Sequence, residues 1–478
     1  VMPEVLLHRR ARRAVGGRVG DHLVFGMAAA DARRLHRARG RKIGRAKAHA
    51  VHARRGQRDL LDVFHAFSRL ENGVDEDRLL DRMTRLELRQ QLVPADEGRG
   101  EGLYELREDL RAPLDEAVPR SCRRRVRFVL AGEISHIFKK DGAVRKVHNL
   151  IVLPSLDCAD QVADRLLRLG YNLHSDGRPI LGMPCRDFLE LLLSTDSRAY
   201  LVPAHIWTPH FSVFGSLSGF DRLSDCFGDL TPHIFALETG LSSDPAMNWR
   251  LSALDHLTLI SSSDAHSPQK LGRELTRLHL ADPPTFAGLR KALALCLPEE
   301  FLGTLEFYPE EGKYHLDGHR DCGVRLEPSE RAKLGGLCPR CGKPVTVGVL
   351  SRVEALADRP IDGDSTFRPP RARPFERLVP LTEVLADVLG KTAASDAVQR
   401  LYFRLLSEVG PELFVLRSAL PQDIRRVADP LLGEALVRMR RGELRIAAGF
   451  DGEYGRVGLV EPSERASSSS SQQMGLFG

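Results

Sequence analysis

Three groups of residues in this sequence have the types and spacing that a hydrolytic metal centre needs. Ser263-Asp264-Ala265-His266 follows the apolar run Leu257–Ile260. An Asp-x-His pair brings an oxygen and a nitrogen ligand to one metal from neighbouring strand-end positions. Glu133 and His148 flank Asp141-Gly142, a two-residue hairpin turn. That turn pairs Lys140 with Ala143, Ser135 with His148 and Glu133 with Leu150. Glu133 and His148 are then diagonal neighbours on one face, about 7–8 Å apart by backbone. Pro203-Ala204-His205 ends a third apolar run. Each group alone is commonplace: Asp-x-His is usually a turn, and a lone His is usually a satisfied core residue. Together they describe a His/carboxylate centre suited to Zn²⁺, Mn²⁺ or Fe²⁺. Two or more such ions activate water and clamp a phosphodiester, so the chemistry is metal-assisted hydrolysis of a phosphoester.

A fourth group has a different purpose. His319-x2-Cys322 and Cys338-x2-Cys341 are separated by 15 residues. Two knuckles of this spacing are the form of a closed structural zinc site, with His315 as the alternative fourth ligand. Such a site does no chemistry; it holds a small unit that cannot build its own core. The other five of the eight cysteines are scattered and read as reduced core thiols.

The candidate ligands of the first three groups follow short apolar runs, and helical patterns such as Ala159–Leu169 and Cys185–Leu193 lie between those runs. Strand and helix in alternation, with an ionisable residue just past each strand, predict an α/β barrel or doubly wound sheet with its chemistry at the strand ends. Residues 380–441 read as helices, with Val398, Leu401, Tyr402 and Leu405 on one face and Gly390 and Gly410 as stops. A hairpin about Asp451-Gly452 follows, then a serine linker. At 478 residues, 42% hydrophobic and 28% charged, the chain is globular and holds more than one domain. The longest stretch without Asp, Glu, Lys or Arg, Ala199–Phe220, contains prolines, histidines and glycines and is no membrane helix. With no secretory signal at the start, a cytoplasmic location is expected. The net charge of +6 is uneven, because residues 1–60 carry 16 Lys+Arg against 4 Asp+Glu. Basic residues also crowd the hairpin: Arg123, Arg124, Arg125 and Arg127 before it, and Lys139, Lys140, Arg145 and Lys146 on it. They are expected to form a track for a phosphate backbone.

Several stretches, in order, resemble the endonuclease Q family of the PHP (polymerase and histidinol phosphatase) superfamily. They are Phe128–Ser135, Arg145–Leu150, Ser175–Gly182, Pro203–Pro209, Glu238–Asp244, Ser263–His266, Leu271–Glu274 and the closing Asp451-Gly-Glu-Tyr-Gly hairpin. The resemblance covers about residues 86–460. It implies an α/β fold, a PHP-type distorted (βα) barrel over 86–294, then a zinc-binding domain (295–365), a mainly helical C-terminal domain (366–465) and a tail (466–478). It further implies an endonuclease that nicks DNA 5′ to deaminated bases (hypoxanthine, uracil) and abasic sites. Matched by motif, Glu133, His148, His205, Asp264 and His266 would hold Mn²⁺, Mg²⁺ or Zn²⁺, while His319, Cys322, Cys338 and Cys341 hold structural zinc.

Two departures from the family stand out. Its opening His-x-His strand and later Thr-His-Pro have no counterpart in residues 1–85, whose Arg/Ala/Gly/His-rich texture is expected from an out-of-frame reading or mis-called start of a GC-rich gene. His210 stands where the family has Trp. The alternatives are a catalytically impaired DNA-binding adaptor or a PHP phosphoesterase acting on a small phosphate. At the other end, Gln473-Met474-Gly475-Leu476-Phe477 behind the serines looks like a sliding-clamp-binding peptide, with Gln473, Leu476 and Phe477 as its contacts. The expected setting is therefore cytoplasmic and nucleoid-associated.

Overall fold

The computed structural model describes residues 92–94, 102–124, 126–173, 179–281, 283–359 and 367–465. The basic N-terminal segment with its proposed frameshift, the first half of the Ser175–Gly182 stretch, Arg125, and the serine tail with Gln473, Leu476 and Phe477 lie outside the described residues.

Strands β1 (Leu92–Pro94), β2 (Leu103–Leu106), β3 (Phe128–Lys140), β4 (Ala143–Leu153), β5 (Ile180–Leu181) and β6 (Tyr200–Pro203) form one mixed sheet. Its order is β1-β2-β3-β4-β6, with β5 beside β3. The β3–β4 hairpin is the long element of this sheet. Asp141 (φ 52°) and Gly142 (φ 75°) both take the left-handed conformation that a type I′ turn requires. The register follows from that turn: Lys140 pairs with Ala143, Ser135 with His148 and Glu133 with Leu150. The strands thus run further than their apolar cores suggest. Glu133 and His148 sit inside them, whereas His205 lies just past β6 as expected.

Alternation along the hairpin sorts its side chains. Ile134, Phe138, Val147 and Ile151 pack with Val162 and Leu166 of α1 (Leu156–Arg168) and Phe188 and Leu192 of α2 (Cys185–Thr195) in the largest core. The opposite face carries Glu133 and His148. Beyond β6 the ladders are interrupted. A parallel pair, β7 (Ala236–Glu238) with β8 (Thr258–Ile260), precedes a three-stranded sheet. That sheet has β10 (Phe301–Glu306) between β9 (Leu275–Leu278) and β13 (Phe375–Arg377). Isolated hydrogen bonds stitch these pieces in series. The Ile206 amide donates to the Glu238 carbonyl (3.2 Å), the Thr239 amide to the Ile260 carbonyl (3.0 Å) and the Ser261 amide to Thr276 Oγ1 (2.9 Å). The outcome is a mixed α/β wall with its strand ends joined by loop residues, rather than one continuous ladder.

Around the Cys/His pair of knuckles, β11 (Asp317–His319) and β12 (Val324–Leu326) enclose a core of only Val324, Leu326, Cys338 and Val345. So small a core needs a covalent or metal staple. Helix α3 (Val349–Leu356) leaves this lobe, and its Arg352 donates to the Phe214 and Phe220 carbonyls at 2.9 and 3.1 Å. The C-terminal region is helical: α4 (Leu381–Leu389), α5 (Asp396–Glu408), α6 (Glu412–Arg417) and α7 (Pro430–Arg441) share a second large core. Gly390 caps α4 in the left-handed conformation, and Gly410 lies just past α5. The turn at Asp451-Gly452 is closed by a Phe450–Glu453 bridge within the longer connection between β14 (Arg445–Ala447) and β15 (Arg456–Gly458). Among the described residues no helix is long and apolar enough to cross a membrane.

Candidate metal centre

The hairpin register and the end of β6 bring Glu133, His148 and His205 together. His148 Nδ1 lies 2.6 Å and His205 Nε2 3.4 Å from Glu133 Oε1, and the two ring nitrogens are 3.2 Å apart. Glu133 is 4% and His148 6% exposed. Burial alone raises a carboxyl pKa, yet the hydrogen bonds and charges of His148 and His205 outweigh it and hold Glu133 well below the carboxylate range. Burial likewise opposes charging of His205, but Glu133, with help from Asp264 and Glu238, pushes it up to about 9. The site is built to hold positive charge at the point where these donors meet. Two imidazoles and a carboxylate, with all donor atoms within 4.8 Å, form a set that fits a divalent ion.

His205 is held by more than the ligand set. Its φ is 31°, and its amide donates to Glu238 Oε2 at 2.8 Å. Its Nδ1 meets Ser212 Oγ (3.1 Å), whose hydroxyl donates to the His205 carbonyl (2.6 Å). A partner on Nδ1 leaves Nε2 facing Glu133. Gly240 (φ +63°) packs so closely on His205 that a Cβ would lie 2.5 Å from the His205 Cβ. Phe211 covers His148, ring centroids 4.6 Å apart, and its carbonyl accepts the His148 amide.

Asp264 and His266 are placed at the edge of this set. Asp264 lies in a left-handed turn (φ 42°) after β8, close enough for its charge to act on both His205 and Glu238. The His266 ring turns back on its own loop, with Nδ1 3.0 Å from the Asp264 carbonyl and 3.7 Å from its carboxylate. Arg273 fixes that loop by donating to the Ser263 and Asp264 carbonyls at 2.7 and 2.9 Å. Glu238, Ser212 and Arg273 were not foreseen as site residues. Only Glu238 carried a signal, an ionisable residue ending an apolar run. Ser212 bonds the ring and carbonyl of His205, and Arg273 bonds only main-chain carbonyls, so neither leaves a spacing to read.

The second cluster joins His319, Cys322, Cys338 and Cys341, all four donors within 4.8 Å. His319 Nδ1 is 3.5 Å from Cys341 Sγ. Each knuckle closes on a left-handed glycine, Gly323 (φ 59°) and Gly342 (φ 70°). Desolvation raises the Cys338 thiol, but the backbone amides of Arg340 and Cys341, with the Cys341 and His319 side chains, outweigh it and bring it down to about 6. Amides aimed at a sulfur favour thiolate, the form that binds zinc. His315 is buried elsewhere, among Glu310, Asp244 and Arg377, and does not join this set.

The basic track is only partly realised. Arg127 is buried against Glu105 (3.1 Å), so it supports the fold and is not available to a phosphate. Lys139 is exposed, while Arg145 and Lys146 lie over Phe220 and Phe211 at 4.5 and 5.4 Å.

Known proteins share this architecture. The family model of the MJ0043 C-terminal domain matches residues 380–443. Uncharacterized protein MJ0043 of Methanocaldococcus jannaschii is 32% identical over 257 residues, 52% of this chain but only 31% of that protein. YqxK of Bacillus subtilis is 29% identical over 314 residues, 65% of this chain and 73% of that one. The lesion-specific endonuclease PfuEndoQ from Pyrococcus furiosus superposes with a TM-score of 0.64 at 28% identity, covering 80% of this chain and 88% of that one. An endonuclease Q complex with a 27-mer duplex bearing an abasic lesion at its active site gives 0.65 at 28% identity, covering 83% and 91%. Fold and site together define a mixed α/β protein with a helical C-terminal region and two side-chain clusters whose donors could hold a metal ion. In fold and in sequence the chain is similar to these endonuclease Q structures, and its helical C-terminal region matches the MJ0043 C-terminal domain model.

Proposed function

We propose that this protein is a metal-dependent DNA-repair endonuclease that nicks 5′ to deaminated bases (hypoxanthine, uracil) and abasic sites. The observation that carries the reading is the convergence of Glu133, His148 and His205 on one point, in a chain similar to a lesion-specific endonuclease. Asp264 and His266 would complete the set. A bound Mn²⁺, Mg²⁺ or Zn²⁺ supplies Lewis acidity and lowers the pKa of water. The protein's part is orientation. Glu133 aligns both imidazoles, Glu238 and Ser212 fix His205, and Arg273 fixes the Asp264 turn. Lys139 and Lys146 offer charge to the DNA backbone. Opening a damaged pair costs less than opening an intact one, which gives selectivity a physical source.

Within this reading, residues 86–294 form the PHP-like unit, 295–365 the zinc unit with Zn²⁺ on His319, Cys322, Cys338 and Cys341, and 366–465 the helical unit. The tail would recruit the sliding clamp through Gln473, Leu476 and Phe477, in a cytoplasmic, nucleoid-associated setting. One sequence observation favours a second reading, a catalytically impaired DNA-binding adaptor: residues 1–85 contain no His-x-His. Labelled duplexes with inosine, uracil or an abasic site, incubated with the chain and Mn²⁺ or Mg²⁺, decide between them. Cleavage 5′ to the lesion is expected; lesion binding without cleavage supports the adaptor, and an absence of both binding and cleavage supports a phosphoesterase for small phosphates.

A further inference from the structure

The closing Asp451–Gly455 turn has no part in the metal centre, yet it is built with care. Tyr454 is 74% exposed, the highest value among the exposed large apolar side chains of the described residues. An aromatic so exposed loses hydrophobic stabilisation unless it meets a partner.

The segment beneath it is rigid. The Gly449 amide donates to the Glu310 carbonyl (2.8 Å), Gly452 to Lys313 (2.8 Å) and Gly455 to Glu311 (3.0 Å). A Cβ on Gly455 would collide with the Glu310 carbonyl, and one on Gly449 with the Gly312 carbonyl. Asp451 accepts from the Arg320 amide and the Thr346 hydroxyl, both at 2.6 Å. The exposed Lys313 ammonium stands 5.7 Å from the Tyr454 ring centroid.

Packed backbone segments link the platform to the candidate metal centre. Gly240 touches His205. The Leu241 carbonyl, next in the chain, lies 3.7 Å from where a Cβ on Gly312 would sit, and Lys313 follows. A preorganised, exposed aromatic with a cation beside it, joined through packed backbone to the candidate site, has the composition of a single-strand stacking platform.

We infer that Tyr454 and Lys313 form a DNA contact at the distorted lesion. The ring takes a base that has lost its stacking partner and the ammonium a neighbouring phosphate. This rests on the reading above that damaged DNA is the substrate. Base–aromatic stacking of ordinary strength corresponds to about tenfold in affinity.

The test is fluorescence anisotropy of the full chain with a duplex carrying one tetrahydrofuran abasic analogue, and with its undamaged counterpart, in Ca²⁺ without Mn²⁺ or Mg²⁺. Tyr454→Ala is expected to weaken the lesion duplex about tenfold and the undamaged one less than about twofold. Tyr454→Phe keeps parental affinity, and Lys313→Ala lowers the salt slope by about one on both duplexes. Parental affinity of Tyr454→Ala for the lesion duplex overturns the inference while leaving the endonuclease reading intact. Tyr454→Phe failing as badly as Tyr454→Ala also overturns it, because the hydroxyl and not the ring is then the contact. A parent that binds both duplexes equally removes the lesion reading and the platform with it. Because Tyr454 is solvent-facing, unchanged zinc content and circular dichroism are the expected folding controls.

Discussion

Next to the candidate metal centre, under the loop that carries Asp264, Glu274 and Glu306 are buried side by side, 1% and 0% exposed. The Ser261 hydroxyl lies 3.1 Å from an oxygen of each, and the Thr239 hydroxyl lies 3.1 Å from both Glu306 and the Ile260 carbonyl. Two hydroxyl protons cannot serve four acceptor contacts, so a carboxyl proton must supply at least one. Burial pushes Glu306 up to about 8, with the Asp244 charge adding to it against the hydroxyls of Thr304, Thr239 and Ser261. Glu274 is raised by burial first and by the charge of Glu306 second.

A carboxyl whose folded pKa lies above its unfolded value contributes stability that is complete below the unfolded pKa and is lost as pH rises through the folded one. For Glu306 that window runs from the ordinary carboxyl value of 4.5 to about 8. The 1.36 kcal/mol per pKa unit then sets an upper limit of about 5 kcal/mol, less in practice because Glu274 shares the proton. Glu306→Gln keeps the shape and supplies amide protons permanently. It should match the parent near pH 5 and be more stable at pH 8. Urea unfolding read by tryptophan fluorescence is suited to the question, because Trp207 and Trp249, the two tryptophans, are both buried in the α/β part. Parallel pH profiles for parent and variant would refute the shared-proton argument.

Cys338→Ser should release one equivalent of zinc and unfold the knuckle lobe, since structural zinc contributes on the order of 10 kcal/mol of folding free energy; equal zinc in parent and variant would remove Cys338 from the ligand set. Asp264→Asn should reduce nicking by orders of magnitude while DNA binding persists, because phosphate contacts elsewhere carry affinity; undiminished nicking excludes Asp264 from the centre. A Ser467–Gly478 peptide should bind the sliding clamp with a Kd in the micromolar range and lose it on Leu476→Ala plus Phe477→Ala, with calorimetric silence at high clamp concentration ending the idea.

What could be read in advance, and what could not, divides by the range of the interaction. The Asp141-Gly142 turn fixes a register by local backbone chemistry, and the pairing of Glu133 with Leu150 and Ser135 with His148 follows residue by residue. The Cys/His knuckles are equally local, so spacing gathers His319, Cys322, Cys338 and Cys341, but it keeps His315 as an alternative that only the fold removes. His205 could be placed at a strand end, but its ring is aimed by Ser212 and its backbone by Glu238, from a loop and a strand the spacing does not join. Arg127 shows the converse error. Read as one of a basic run, it is committed to Glu105 inside the protein, because a charge pattern along the chain does not say which members the fold will bury. Asp264 and His266 test the limit most closely. Their spacing is that of a ligand pair, yet the left-handed turn and the two Arg273 bonds present the Asp264 carbonyl, not only its carboxylate, to the His266 ring. Whether that loop serves the centre is therefore set by how Arg273 and the buried Glu274–Glu306 pair hold it, and these are the contacts that side-chain type and spacing leave unwritten.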